Sequence, residues 1–222
     1  MGRETGVPVL YDLGSGAFVR TDPGGEPTAA EEMAAGPAVL TMSGDKLLGS
    51  VQAGIILGDG ALLGRIRSSP MMRAARVDKV TLALLEATLL AYLDPESARE
   101  RVPVLRLISR APRAIRQDAE RLRESILARV PSGLDAEIVA GESEAGGGAI
   151  GQPPIPTCLL ALASEGMSPD SVATALRASD PPVIVRVKND RVLVDPRTLF
   201  PEEIGIVADA FARVLASRPA ER

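Results

Sequence analysis

The sequence predicts an α/β protein in which one edge of a sheet is followed by a small α+β domain. Three observations carry this. Continuous apolar runs at 7–12 (VPVLYD), 38–43 (AVLTMS) and 51–58 (VQAGIILG) read as strands buried on both faces. Helical periodicity then takes over at 77–93 and at about 103–130. Finally, strands at 135–142, 155–163, 181–189 and 191–196 alternate with amphipathic helices at 168–178 and 201–216.

Each element has its local reason. Residues 29–35, AAEEMAA, suit a short helix stopped by Gly36 and Pro37. The 77–93 helix places Val80, Leu84, Ala87, Leu90 and Ala91 together, and Asp94-Pro95 ends it. The arginine-rich helix at about 103–130 aligns Leu105, Ile108, Ile115, Ala119, Leu122, Ile126 and Val130. Ser168 is a natural N-cap, with Pro169 at the first helical position and Asp170 in the first turn. The KNDR stretch at 188–191 has hairpin-turn chemistry, and GGGAIGQPP separates the 135–142 and 155–163 strands. Three strands and one short helix cannot close the first sheet, so a partner subunit or further polypeptide must cover it.

Composition narrows the chemistry. The 222 residues contain no histidine, which removes Ser–His–Asp triads, Cys–His pairs and histidine-ligated metals within this chain; no metal site is expected. The single cysteine, Cys158, lies in the apolar run TCLLALA and reads as a small buried hydrophobe. With a net charge of −4 and only 2% aromatic residues, bulk charge and aromatic stacking offer little grip on nucleic acid, which leaves a local arginine patch as the open route. No apolar run reaches the ~18–20 residues that span a bilayer. No secretory signal pattern opens the sequence, so a cytoplasmic location is expected.

Lysine is scarce: Lys46, Lys79 and Lys188 are the only three. Lys46 lies in TMSGDKLLGS, just past the end of a strand, and Asp12 ends the preceding strand. A strand-end acid and a strand-end lysine are the groups by which a protein holds pyridoxal phosphate: the amine bonds the cofactor covalently, and the carboxylate pairs with the ring nitrogen. Ser43 could offer a hydroxyl to the cofactor phosphate, and Gly44 and Gly49 allow close backbone approach. An exposed turn lysine is the plain alternative.

Four blocks, YDLGSG (11–16), SGDKLLGSVQAGIILG (43–58), RAARVDKVTLALLEATLLAYL (73–93) and PVIVRVKNDRVLVDPRTL (182–199), resemble bacterial selenocysteine synthases, the L-seryl-tRNA(Sec) selenium transferases. The resemblance implies a fold-type-I, aspartate-aminotransferase-like enzyme with pyridoxal 5'-phosphate as cofactor. It implies conversion of seryl-tRNA(Sec) to selenocysteinyl-tRNA(Sec) with selenophosphate as donor, in a homo-oligomeric ring of dimers. Family members are about twice as long, so the chain corresponds to their C-terminal half. Residues 1–76 then belong to an incomplete cofactor domain, 77–102 to a connecting helix and 103–222 to a small α+β domain.

By motif, the resemblance makes Lys46 the cofactor lysine and Asp12 the partner of the pyridine nitrogen. Asp45 would orient the lysine or another active-site group. Arg73 and Arg76 match the arginines around the selenium donor's anion, three residues apart on one helix face. Gln52 falls in the lysine block, on the substrate side. The chain departs from the family pattern in three places. Ser50 and Val51 stand where it has a second glycine and a proline, Pro70 lacks a preceding histidine, and Pro196 replaces a leucine. A related pyridoxal-phosphate lyase acting on a small amino acid, and a non-catalytic assembly module, remain as alternative readings.

Overall fold

The computed structural model describes residues 2–21, 26–144 and 154–216. They form two compact units that divide between Ser109 and Arg110. The expected GGGAIGQPP separator lies, except for Pro154, outside the described residues.

The first unit begins with a short helix, α1 (Gly2–Thr5), and strand β1 (Leu10–Gly14). The strand starts later than the expected 7–12 run, because Pro8 has no N–H to give a ladder. Helix α2 (Ala29–Ala34) is a crossover to β2 (Val39–Ser43), which pairs parallel with β1; β3 (Gly54–Gly58) then pairs antiparallel with β2. The order β1-β2-β3 leaves β1 and β3 as edges. Leu13, Ala29, Leu40 and Met42 form the buried centre, with Phe18, Met33, Ile55 and Leu57 packed around it. The expectation of strands buried on both faces fails at β1, where Leu10 and Tyr11 are exposed.

A capping box starts α2. The Thr28 hydroxyl accepts from the Glu31 N–H, and the Glu31 carboxylate accepts from the Thr28 N–H at 2.8 Å. Arg20 donates to the same carboxylate at 2.8 Å.

Helices fill the rest of the unit: α3 (Gly60–Ser68), α4 (Met71–Ala75), α5 (Lys79–Ala91), α6 (Pro95–Arg101) and α7 (Pro103–Ile108). Asp59, Asp78 and Asp94 cap α3, α5 and α6 with their side chains. Asp94-Pro95 therefore ends one helix by starting the next. Most of α5's apolar face, namely Val80, Leu84 and Leu90, is exposed, whereas Ala91 is buried with Ala98, Val102 and Leu105.

The second unit opens with α8 (Pro112–Arg129). The single helix expected at about 103–130 is thus two, α7 and α8, because Pro112 bars Ala111 from helical geometry. All seven aligned apolar residues are nonetheless buried. Strands β4 (Leu134–Ser143) and β5 (Ile155–Ser164), helix α9 (Pro169–Arg177), strands β6 (Arg186–Lys188) and β7 (Arg191–Val194), a 3-10 turn (Pro196–Thr198) and α10 (Glu203–Ala216) follow.

Their sheet runs β4-β5-β7-β6 with every pair antiparallel. Leu160, Leu162, Val192 and Val194 meet Leu122, Ile126, Val172, Leu176 and Phe211 in one core. The Ser168 cap on α9 is as expected. Asn189 and Asp190, at φ 52° and 58°, make the tight turn that KNDR foretold, although β6 is shorter than the expected 181–189 strand. Cys158 is only half-buried.

Two ionic clusters brace this unit. Buried Asp118 pairs with Arg110 and Arg121, and Arg110 also donates to the carbonyls of Pro196 (2.6 Å), Arg197 (3.0 Å) and Leu199 (3.1 Å). Asp195 accepts from Ser143 Oγ (2.6 Å), Thr157 Oγ1 (2.9 Å) and the Arg197 N–H (3.1 Å).

Candidate functional site

Lys46 lies in the turn joining β2 to β3, and the backbone closes that turn on itself. The Gly44 N–H donates to Ala53 O (2.8 Å), Ser50 N–H to Gly44 O (2.8 Å) and Gly49 N–H to Lys46 O (2.9 Å). The Leu47 N–H reaches Ser15 O at 2.9 Å, tying the turn to the LGSG loop after β1. Leu47 and Leu48 are buried while Lys46 and Asp45 are exposed, so two apolar anchors hold a charged rim. The Lys46 side chain makes no hydrogen bond or ion pair with the described residues.

Both expected glycine roles have a steric basis. A Cβ on Gly44 would sit 2.6 Å from Val51 O. Gly49 adopts φ +70°, and a Cβ there would fall 2.5 Å from a Val102 methyl and 2.7 Å from a Val104 methyl.

Asp12 lies directly across the parallel ladder from Thr41, whose hydroxyl donates to Asp12 Oδ1 at 2.8 Å. The carboxylate is thereby fixed in orientation while remaining exposed. Thr41 escapes a sequence reading because it looks like one polar break in an apolar strand; only the register puts it opposite Asp12. Ser43 Oγ donates to Asp45 Oδ1 at 2.5 Å. The serine hydroxyl expected to face a phosphate and the acid expected to orient the lysine are therefore engaged with each other. Gln52 is exposed in the same turn, just before β3.

The arginines are placed differently. Arg73 lies in the last turn of α4, and Arg76 is the C-cap, with extended backbone (φ −67°, ψ 126°). The helix ends between them, so they do not share one helix face as the three-residue spacing suggests. Both are exposed.

A second residue that sequence reading missed braces the turn from behind. Tyr92, at the C-cap of α5, donates its hydroxyl to Leu48 O at 2.9 Å, with Leu47 O at 3.4 Å. Its ring packs on Phe18 with centroids 5.5 Å apart. Burial pushes the phenol up to about 12. Around the same turn, the buried hydroxyls of Ser15 and Ser50 find no hydrogen-bond partner among the described residues.

The donor set fits a phosphorylated pyridine aldehyde. It offers an exposed amine on a braced turn and an oriented carboxylate one strand away. Among the described residues there is no cluster able to hold a metal ion, and no helix is long and apolar enough to cross a membrane.

Known proteins give the chain its relatives. The family model described as "SelA: L-seryl-tRNA selenium transferase" matches residues 1–200. The chain is 41% identical over 218 residues to the L-seryl-tRNA(Sec) selenium transferase of Solidesulfovibrio magneticus, covering 96% of this chain and 46% of that protein. It is 42% identical over 219 residues to that of Desulfomicrobium baculatum, covering 97% and 47%. The chain therefore spans about half the length of the curated relatives it matches. Among solved structures, D-glucosaminate-6-phosphate ammonia-lyase superposes with a TM-score of 0.62 at 17% identity, over 98% of this chain and 51% of that one. The fold is the expected aspartate-aminotransferase-like, type I architecture. On the match across residues 1–200 and these identities, the chain belongs to the L-seryl-tRNA selenium transferase family.

Proposed function

We propose that this chain carries the lysine-bearing part of a pyridoxal-phosphate-dependent selenium transferase, converting seryl-tRNA(Sec) to selenocysteinyl-tRNA(Sec) with selenophosphate as donor. The observation that carries this reading is the braced turn that presents Lys46 one strand from the Thr41-held Asp12, in a chain of this family.

When bound, pyridoxal phosphate supplies an electron sink for the substrate α-carbon. The remaining work falls to the chain. Lys46 binds the cofactor through its amine and then moves a proton at the substrate α-carbon. Asp12 keeps the ring nitrogen protonated, with Thr41 holding the carboxylate in place. Asp45 and Ser43 act as a pair beside the lysine. Arg73 and Arg76 bind the anionic selenium donor, one from the helix and one from the chain just beyond it, and Gln52 lies on the substrate side. A cytoplasmic location and a homo-oligomer built from dimers belong to the same reading. The exposed Val80, Leu84 and Leu90 of α5 support the oligomer.

Absorbance tests the first step. Purified protein mixed with pyridoxal phosphate should develop a band near the visible edge that Lys46→Ala abolishes; no band, or one indifferent to that change, rejects the reading. Turnover of seryl-tRNA with selenophosphate, with free serine inert, supports the transferase. Turnover of free serine would instead mark a small-molecule lyase.

A further inference from the structure

We propose that Tyr92 is a positioning residue for Lys46, its hydroxyl locking the lysine-bearing turn through the carbonyl of Leu48. The functional half of this inference rests on the cofactor reading of Lys46; the structural half does not.

Among the described residues, the other braces that tie the turn down are made by backbone, by packing or by the local Ser43–Asp45 hydrogen bond. Gly44, Leu47, Gly49 and Ser50 use their amides, and Leu47 and Leu48 bury their side chains. Tyr92 supplies a side-chain hydrogen bond from a distant element, 44 residues away in sequence, and it reaches a carbonyl two residues past the lysine. A carbonyl next to a buried leucine has little water to turn to, so the phenol satisfies an acceptor that would otherwise be orphaned. The donor is also durable: a phenol pushed up to about 12 by burial stays protonated throughout the working range of any cytoplasmic enzyme.

The contact on Phe18 adds direction. Phe18 follows the LGSG loop, whose Ser15 carbonyl already accepts the Leu47 N–H. Tyr92 thus meets the turn by its hydroxyl and the loop after Asp12's strand by its ring. One side chain couples the two backbone segments that carry Asp12 and Lys46. The distance between the paired carboxylate and the amine must match one rigid cofactor, so that coupling has a functional use.

The test uses Tyr92→Phe, which deletes one oxygen and keeps the ring on Phe18. Hydrogen exchange of the 47–50 amides should accelerate about three- to tenfold, the loss expected for one hydrogen bond. Exchange in β2 should be unchanged. Pyridoxal phosphate affinity, read from the absorbance titration, should weaken by a similar factor. Phe18→Leu, which keeps the hydroxyl, should leave the 47–50 amides near wild-type protection. Unchanged exchange in Tyr92→Phe overturns the proposal, and so does equal loosening in Phe18→Leu, because packing would then hold the turn. Should Tyr92→Phe not fold, Phe18→Leu decides: 47–50 amides near wild-type protection support the lock, and loosened ones refute it. If wild-type protein takes up no pyridoxal phosphate at Lys46, the functional reading fails, while the exchange arm still settles the role of Tyr92.

Discussion

Thr41 donates to Asp12 at 2.8 Å across the parallel pair of β1 and β2, so the acid that the sequence marks as functional arrives already oriented. Thr41→Val keeps the shape and removes the donor. Pyridoxal phosphate affinity should fall about three- to tenfold, the size of one ordinary hydrogen bond, since the pair is exposed to water. The titration that follows the Lys46 band measures it, and an unchanged affinity would show that Asp12 needs no such support.

Glu31 gives a prediction in pH. The Arg20 guanidinium beside it, together with the Thr28 N–H, holds its carboxyl at about 2, against an ordinary value of 4.5. A depressed folded value means the stabilisation is fully present above about 4.5 and disappears as pH falls through about 2. Thermal melts of wild type and Glu31→Gln should therefore differ by a constant interval at neutral pH, with the gap closing over that acid range. The pair is exposed, so the interval should be small and should shrink further in high salt.

Asp118 carries more weight in the second unit. It is buried against Arg110, which in turn ties down the carbonyls of Pro196, Arg197 and Leu199. Asp118→Ala removes the buried carboxylate that pairs with the partly buried Arg110 guanidinium, and should cost about 3 kcal/mol in denaturant unfolding of this unit. The cofactor band, which depends on the first unit, should survive.

The exposed face of α5 predicts association. Leu84 and Leu90 are 50% and 59% exposed, and with Val80 they continue one apolar stripe. Leu84→Gln combined with Leu90→Gln should shift sedimentation towards smaller species without loss of helix content. A wild-type protein that is already monomeric at high concentration would contradict this.

Local chemistry was the legible part of the sequence. Ser168-Pro169 dictated α9, Asn189-Asp190 dictated the β6–β7 turn, and Gly44 and Gly49 announced the tight turn around Lys46. Signals that depend on a neighbour were not legible. Thr41 acquires meaning only from a strand register, and Tyr92 only from a fold that brings α5 behind the turn. Helices α3, α4 and α6 are short, and their aspartate and proline starts carry more information than their weak apolar periodicity. At Pro112 the reverse occurred: an apolar stripe continued across a proline that breaks the helix, and the stripe masked the break. The shared helix face expected of Arg73 and Arg76 failed for a similar reason, since spacing implies a common face only while the helix lasts, and α4 ends before Arg76.

Buried Leu47 and Leu48 follow Lys46 without a gap. The exposed amine and its ballast are consecutive links of one chain, and the tolerance of this segment is therefore a matter of counting. Swapping one leucine for another branched apolar residue changes how the anchor fills its socket, whereas adding a single link between Lys46 and Leu47 re-aims the amine however good the anchor. Length, more than side-chain identity, is what this architecture asks of its lysine turn.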